Sequence, residues 1–144
     1  MQEKIILYTD GGARNNPGPA GAGAIGYEGD PSTSSGRVLF ELKKFLGSQT
    51  NNWAEYEAVY LALIEAKRLG YADRPIEARL DSKLVVEQLS GNWKIKEPTL
   101  KPQWAKARML MQESFANIKF VYVPREQNKE ADRLVNEAID EAGF

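Results

Sequence analysis

The sequence predicts an α/β domain on a five-stranded mixed sheet, three strands antiparallel and the remainder parallel, flanked by helices. Two observations carry this. Five short runs rich in aliphatic and aromatic residues are bounded by turn residues, as strands are. Turns of Gly, Pro and Ser join the first three runs, whereas segments of helical periodicity separate the later ones. Such crossovers make the later strands parallel to the first. The order reads β-β-β-α-β-α-α-β-α, one domain over residues 1–144.

The first run, Lys4 to Tyr8, is almost wholly apolar and ends in Thr9-Asp10-Gly11-Gly12. It reads as a strand buried on both faces. Asp10 stands at its exit, and the two glycines leave room beside that carboxylate. Ala13 to Pro19 is a turn. Ala20 to Tyr27 reads as the second strand, Glu28 to Gly36 as a mobile polar loop, and Val38 to Leu46 as the third strand. A helix is predicted over Trp53 to Leu69, closed by Gly70, with Ala58, Val59, Ala62, Ala66 and Leu69 on its apolar stripe. Glu55 heads that stripe, and Asn52-x-x-Glu55 also fits a capping box. Ile76 to Leu80 alternates as a strand with one packed face and ends at Asp81, which can cap the following helix to Leu89. Further helices are predicted over Leu100 to Phe115 and Glu130 to Ala142. The fifth strand is Ile118 to Val123. Asp132 lies in the first turn of the last helix.

Composition removes several chemistries. The chain of 144 residues has no cysteine and no histidine. Disulfides, thiolate or imidazole metal sites and histidine-based triads are therefore excluded. Any metal must sit on oxygen, which favours hard ions such as Mg²⁺ or Mn²⁺. A net charge of −1 argues against a passive, strongly cationic nucleic-acid binder. There is no long apolar run or signal-peptide pattern, so neither a membrane span nor a membrane partner is expected, and the chain is read as a cytoplasmic monomer.

Asp10, Glu55, Asp81 and Asp132 share one description: each lies at a strand exit or near a helix start. Taken singly, each can be a cap or turn residue. Exits of neighbouring parallel strands converge on one rim of a sheet. Four acids gathered there would repel one another and call for cations.

Four blocks carry a resemblance. They are Tyr8-Thr9-Asp10-Gly11-Gly12-Ala13-Arg14-Asn15-Asn16-Pro17-Gly18-Pro19-Ala20-Gly21, Thr50-Asn51-Asn52-Trp53-Ala54-Glu55, Asp81-Ser82-Lys83-Leu84-Val85 and Ala131-Asp132-Arg133-Leu134. In order and spacing they resemble the signature blocks of the type 1 ribonuclease H family, over essentially the whole chain. The resemblance implies the ribonuclease H-like fold and hydrolysis of the RNA strand of RNA/DNA hybrids, leaving 5′-phosphate and 3′-hydroxyl ends. It implies that Asp10, Glu55, Asp81 and Asp132 hold two Mg²⁺ ions about 4 Å apart, with Mn²⁺ as a substitute. Asp10 would bridge the ions, Glu55 and Asp81 would complete the one near the leaving group, and Asp132 would hold the one that activates water. It further implies substrate contacts from Gly11, Gly12, Asn16, Thr50, Asn51 and Asn52. Trp93, Lys94 and Lys96 resemble the channel for the DNA strand, where an aromatic with interleaved lysines suits sugar and phosphate. Lys83 replaces a common family glutamine and is read as a phosphate contact.

The chain departs from the family pattern in two places. Many members carry a histidine before the last acid; this chain has none, and resembles the histidine-less branch seen in archaea and some bacteria. Arg125 is read as the catalytic-loop residue in its place. The segment Gly91–Leu100 is short and lacks the long basic handle of some bacterial members. Two alternatives stand beside this reading. One is a non-catalytic hybrid-binding domain. The other is a different two-metal nuclease, or an integrase-like enzyme, on the same fold.

Overall fold

A computed structural model describes residues 3–33 and 35–144. Ser34, within the predicted polar loop, lies outside the described residues. The strands are β1 (Ile5–Ala13), β2 (Gly18–Glu28), β3 (Arg37–Gln49), β4 (Ile76–Leu80) and β5 (Ile118–Tyr122). The helices are α1 (Asn51–Arg68), α2 (Lys83–Leu89), α3 (Lys101–Ser114) and α4 (Lys129–Glu141). Short 3₁₀ turns at Pro98–Leu100 and Arg125–Gln127 lead into α3 and α4. No helix among the described residues is long and apolar enough to cross a membrane.

The five strands run in the order β3-β2-β1-β4-β5. β1, β2 and β3 form an antiparallel meander, and β1–β4 and β4–β5 pair in parallel. This is the predicted mixed sheet. Ile5, Ile6 and Leu7 are fully buried, as the unbroken apolar run requires of a central strand.

α1, α2 and α3 cover one face. Ile5, Leu7 and Ala78 of the sheet pack there against Tyr56, Val59 and Leu63 of α1, Val85 of α2 and Ala107 of α3. α4 covers the other face, burying Ala131, Leu134, Val135, Ala138 and Ile139, all predicted as its inward stripe. It lies very close to β2. A Cβ on Gly23 would fall 2.5 Å from the Ala131 carbonyl oxygen and 2.7 Å from the Leu134 Cβ.

Several predicted details change. α1 begins two residues earlier than predicted, and its cap is Thr50, whose hydroxyl accepts from the Trp53 N–H. The Asn52–Glu55 capping box therefore does not form. Leu69 is the C-terminal cap residue and is 37% exposed, so it leaves the buried stripe. Ser82 rather than Asp81 caps α2, accepting from the Val85 N–H. β4 is buried on both faces, not one. Its polar side carries Glu77 and Arg79, locked together at 2.6 Å; Arg79 also grips Asp30 at 2.7 Å and Tyr8 at 2.6 Å. A closed ion-pair network lets charged side chains occupy a covered face.

Gly23→Ala should destabilise the fold by about 1–3 kcal/mol, because a backbone carbonyl on α4 must move. Urea unfolding checks this: the midpoint falls while the slope stays constant.

Candidate active site

Register explains how the acids meet. Thr9 pairs with Leu80 in the parallel β1–β4 ladder, and that ladder ends there. The next residue on each strand is an acid, so Asp10 and Asp81 emerge side by side. β1 itself does not end at Asp10. It continues to Ala13 with β2 as its only partner, so Asp10, Gly11 and Gly12 are strand residues rather than a turn.

Glu55 arrives from the second turn of α1. The Gly11 N–H donates to Glu55 Oε1 at 3.0 Å. A Cβ on Gly11 would fall 2.2 Å from the Ala54 carbonyl. The space beside Gly11 is thus filled by the α1 backbone, and its glycine is what lets Glu55 reach Asp10. Gly12, by contrast, faces open space apart from Asn51 Oδ1 at 3.8 Å. One carboxylate oxygen from each of Asp10, Glu55 and Asp81 lies within 4.8 Å of the others. Asp132 does not join that cluster. It stands exposed on the first turn of α4, near enough to Asp10 to act on its charge.

The electrostatics follow from burial. Asp10 and Glu55 are buried, and Glu55 Oε2 has no hydrogen-bond partner. Burial pushes the Asp10 carboxyl up to about 7; contact with the Glu55 carboxyl works against the rise, and the charges of Asp81 and Asp132 add to it. Glu55 is raised well above the ordinary carboxylate range, first by burial and then by Asp10. Burial also raises Asp81, partly offset by Arg125 and by the Asn128 amide. Arg125 Nε lies 3.9 Å from Asp81 Oδ2, and the arginine is 86% exposed. Its head is free for a further anion.

These acids line a cleft of about 470 Å³, which Gly12, Asn51, Asn52 and Arg125 also line. A second cleft, of about 580 Å³, is lined by Trp93, Lys94 and Lys96 over Leu84 and Leu100. Asn52 lines both. Trp93 is 45% exposed and is not a core aromatic. The buried Gln88 holds this segment, accepting from the Tyr56 hydroxyl at 2.5 Å and donating to the Lys94 carbonyl at 3.3 Å.

The chain matches the family model described as reverse transcriptase-like over residues 8–138. Across 139 residues it is 45% identical to the Bifunctional protein Rv2228c of Mycobacterium tuberculosis, covering 96% of this chain and 36% of that one. It is 40% identical to the Ribonuclease HI of Halobacterium salinarum, covering 96% and 66%. The chain thus spans about a third of the Mycobacterium relative and about two thirds of the archaeal one. The crystal structure of LC11-RNase H1 in complex with an RNA/DNA hybrid superposes with a TM-score of 0.88 at 48% identity, covering 96% of this chain and 99% of that one. This chain belongs to the type 1 ribonuclease H family.

Within this ribonuclease H domain most of the other predicted polar contacts gather at the start of α1. Asn16 and Asn51 brace the start of α1. Asn16 Oδ1 accepts from the Asn51 N–H at 2.9 Å, and Asn51 Oδ1 accepts from the Ala13 N–H at 2.8 Å. Thr50 is engaged as the cap. Lys83 stands over the Tyr122 ring, 5.8 Å from its centre, and does not line the acid cleft. Arg14 and Asn128 stand at or beside the site and were not among the sequence candidates. Arg14 lines the acid cleft, held by Asp140 at 2.8 Å. Asn128 is buried at the start of α4, and an asparagine four residues before Asp132 was the only signal for it.

Ribonucleases H depend on divalent metal, and this donor set suits it. It is all oxygen, it includes a buried carboxylate oxygen without a partner, and its charge is held in check only by raised pKa values. Between about pH 4 and 7 the folded, metal-free protein keeps a proton on Asp10 that the unfolded chain releases. That contribution is therefore lost as pH rises through this window. In chelator at pH 8, Asp10→Asn should stabilise the domain by about 1 kcal/mol or more, and the gain should shrink toward pH 4. Thermal melts across this pH range check the sign; no gain at pH 8 would contradict the buried-charge account.

Proposed function

We propose that this domain is an endoribonuclease that hydrolyses the RNA strand of RNA/DNA hybrids, leaving 5′-phosphate and 3′-hydroxyl ends. The observation that carries the reading is the convergence of Asp10, Glu55 and Asp81 within 4.8 Å, beside a cleft that Asn52 shares with the Trp93–Lys96 cleft. Mg²⁺ is the proposed ion, with Mn²⁺ able to replace it; Asp10, Glu55, Asp81 and Asp132 would hold it. When bound in a pair, such ions lower the pKa of an attacking water and stabilise charge on the leaving oxygen.

The protein's own residues do the rest. Arg125, tethered to Asp81 yet almost fully exposed, meets the scissile phosphate and orients it. Gly12 leaves the approach to Asp10 open for a ribose. Asn16, Asn51, Asn52 and Thr50 form a polar rim of neutral groups around the helix start, suited to 2′-hydroxyls and to the sugar edge of an A-like groove. The second strand of the duplex lies along Trp93, Lys94 and Lys96, where the indole packs on sugar and the ammonium groups meet phosphates. Lys83 is a peripheral phosphate contact. Action as a cytoplasmic monomer belongs to the same proposal.

Labelled RNA/DNA hybrid should be cut with Mg²⁺ or Mn²⁺ and left intact in chelator, while DNA/DNA is untouched. Asp81→Asn should lower the rate by at least about a hundredfold. Hybrid that binds but is never cut would favour a non-catalytic binding domain. Arg125→Ala should reduce kcat by roughly tenfold to a hundredfold. Unchanged turnover in that variant would remove Arg125 from the mechanism.

A further inference from the structure

We propose that Asn128 is a positioning residue that registers the strand exits carrying Asp10 and Asp81 against the start of α4, and so sets the affinity of the acid cluster for divalent cations. The inference rests on the metal-dependent reading above.

Asn128 is 1% exposed and belongs to neither the sheet nor the body of α4. Its side-chain Nδ2 donates to the Thr9 carbonyl at 2.9 Å, the peptide group leading directly into Asp10. A carbonyl can only accept, so the amide nitrogen must face it and the orientation of the side chain is fixed. Thr9 is the ladder partner of Leu80, the residue before Asp81, so this bond is made where both acid-bearing strand exits begin. One side chain thus ties the start of α4 to the point where the β1–β4 ladder stops.

The backbone of Asn128 completes the connection. Its N–H donates to the Arg125 carbonyl at 2.9 Å, closing the turn that presents Arg125. Its carbonyl accepts from the Asp132 N–H at 3.1 Å, opening the helix that presents the fourth acid. At the head of α4, an asparagine side chain would ordinarily accept from the helix's own free N–H groups. Here it makes no such bond and turns instead to the sheet.

That arrangement has a cost which points the same way. With its amide nitrogen turned to Thr9, Asn128 Oδ1 is buried with no partner, one of the few such atoms among the described residues. An unpaired buried acceptor is unfavourable, so the geometry favours the contact to Thr9 over local satisfaction. The residue type is also constrained. Aspartate would set a carboxylate against the Thr9 carbonyl and Asp81, and an apolar residue would leave the Thr9 carbonyl unpaired. Groups that orient ligating carboxylates from behind typically change metal affinity 10- to 100-fold when lost, roughly the effect expected here.

The test is Mn²⁺ binding to the intact protein, by calorimetry or electron paramagnetic resonance, well below the melting temperature. Wild type should bind, and Asn128→Asp and Asn128→Ala should bind at least about tenfold more weakly. Their affinity for uncut hybrid in chelator should fall far less than their affinity for Mn²⁺, because the Asn128 side chain is buried. A folded variant with wild-type Mn²⁺ affinity would overturn the proposal. Should neither variant fold, the wild-type side-chain amide answers the question by nuclear magnetic resonance. Its Nδ2 protons should exchange slowly and shift on titration with Mg²⁺, and an unmoved signal would overturn the proposal as well. If wild type itself bound no Mn²⁺, the metal reading of the site would fall, and this inference with it.

Discussion

Three carboxylates held together in a largely buried corner are the constraint on which the rest of this structure depends. Separating such charges from water is unfavourable, and bringing them together adds repulsion. Local contacts offset only part of the cost. Gly11 gives Glu55 one N–H, Arg125 stands nearly 4 Å from Asp81, and Glu55 Oε2 has no partner. The Asp10 carboxyl responds by holding its proton up to about pH 7, and Glu55 is raised well above the ordinary carboxylate range. The remaining stability has to come from elsewhere, and the dense core beneath α1, α2 and α3 is where it is found. The site is a region of stored electrostatic tension on a well-packed support.

The support works by close backbone approach. At Gly11 the start of α1 comes against β1, and at Gly23 the start of α4 comes against β2. Each contact fixes a helix that delivers one acid. The two helices lie on opposite faces of the sheet, so Glu55 and Asp132 flank Asp10 from opposite sides. Asp81 needs no helix, because the register of β4 on β1 brings it into place.

Much of this was legible in the sequence. Five apolar runs and their connections were enough for the mixed sheet, because turn chemistry and crossover length decide strand direction. The approach of Asp10, Glu55 and Asp81 was legible because each ends or heads an apolar pattern, whereas Asp132 stays exposed outside their cluster. Local hydrogen-bond choices were not legible. Asn52 and Glu55 have the spacing of a capping box, yet Glu55 is drawn to the Gly11 N–H, a partner 44 residues away, and Thr50 takes the cap. Asp81 is a good cap by type, but the strand ladder directs it to the site and Ser82 caps instead. The polar face of β4 looked solvated because Asp30, which closes its ion-pair network, lies far off in sequence. Asn128 was invisible for the same reason: its partner on β1 is 119 residues away. Long-range polar pairing leaves no periodicity to read.

The buried Tyr56–Gln88 pair has one more consequence. By anchoring the Lys94 carbonyl, it fixes the path of an exposed segment that has no regular secondary structure of its own. A free loop bearing a tryptophan and two lysines would lose considerable conformational entropy on gripping a duplex. Here much of that ordering is accomplished when the core folds. On the proposed function, the spacing from Asn52 to Trp93 would then act as a caliper of set width. A helix whose minor groove matches that width would be gripped without adjustment, and one of another width would meet resistance before any base was read.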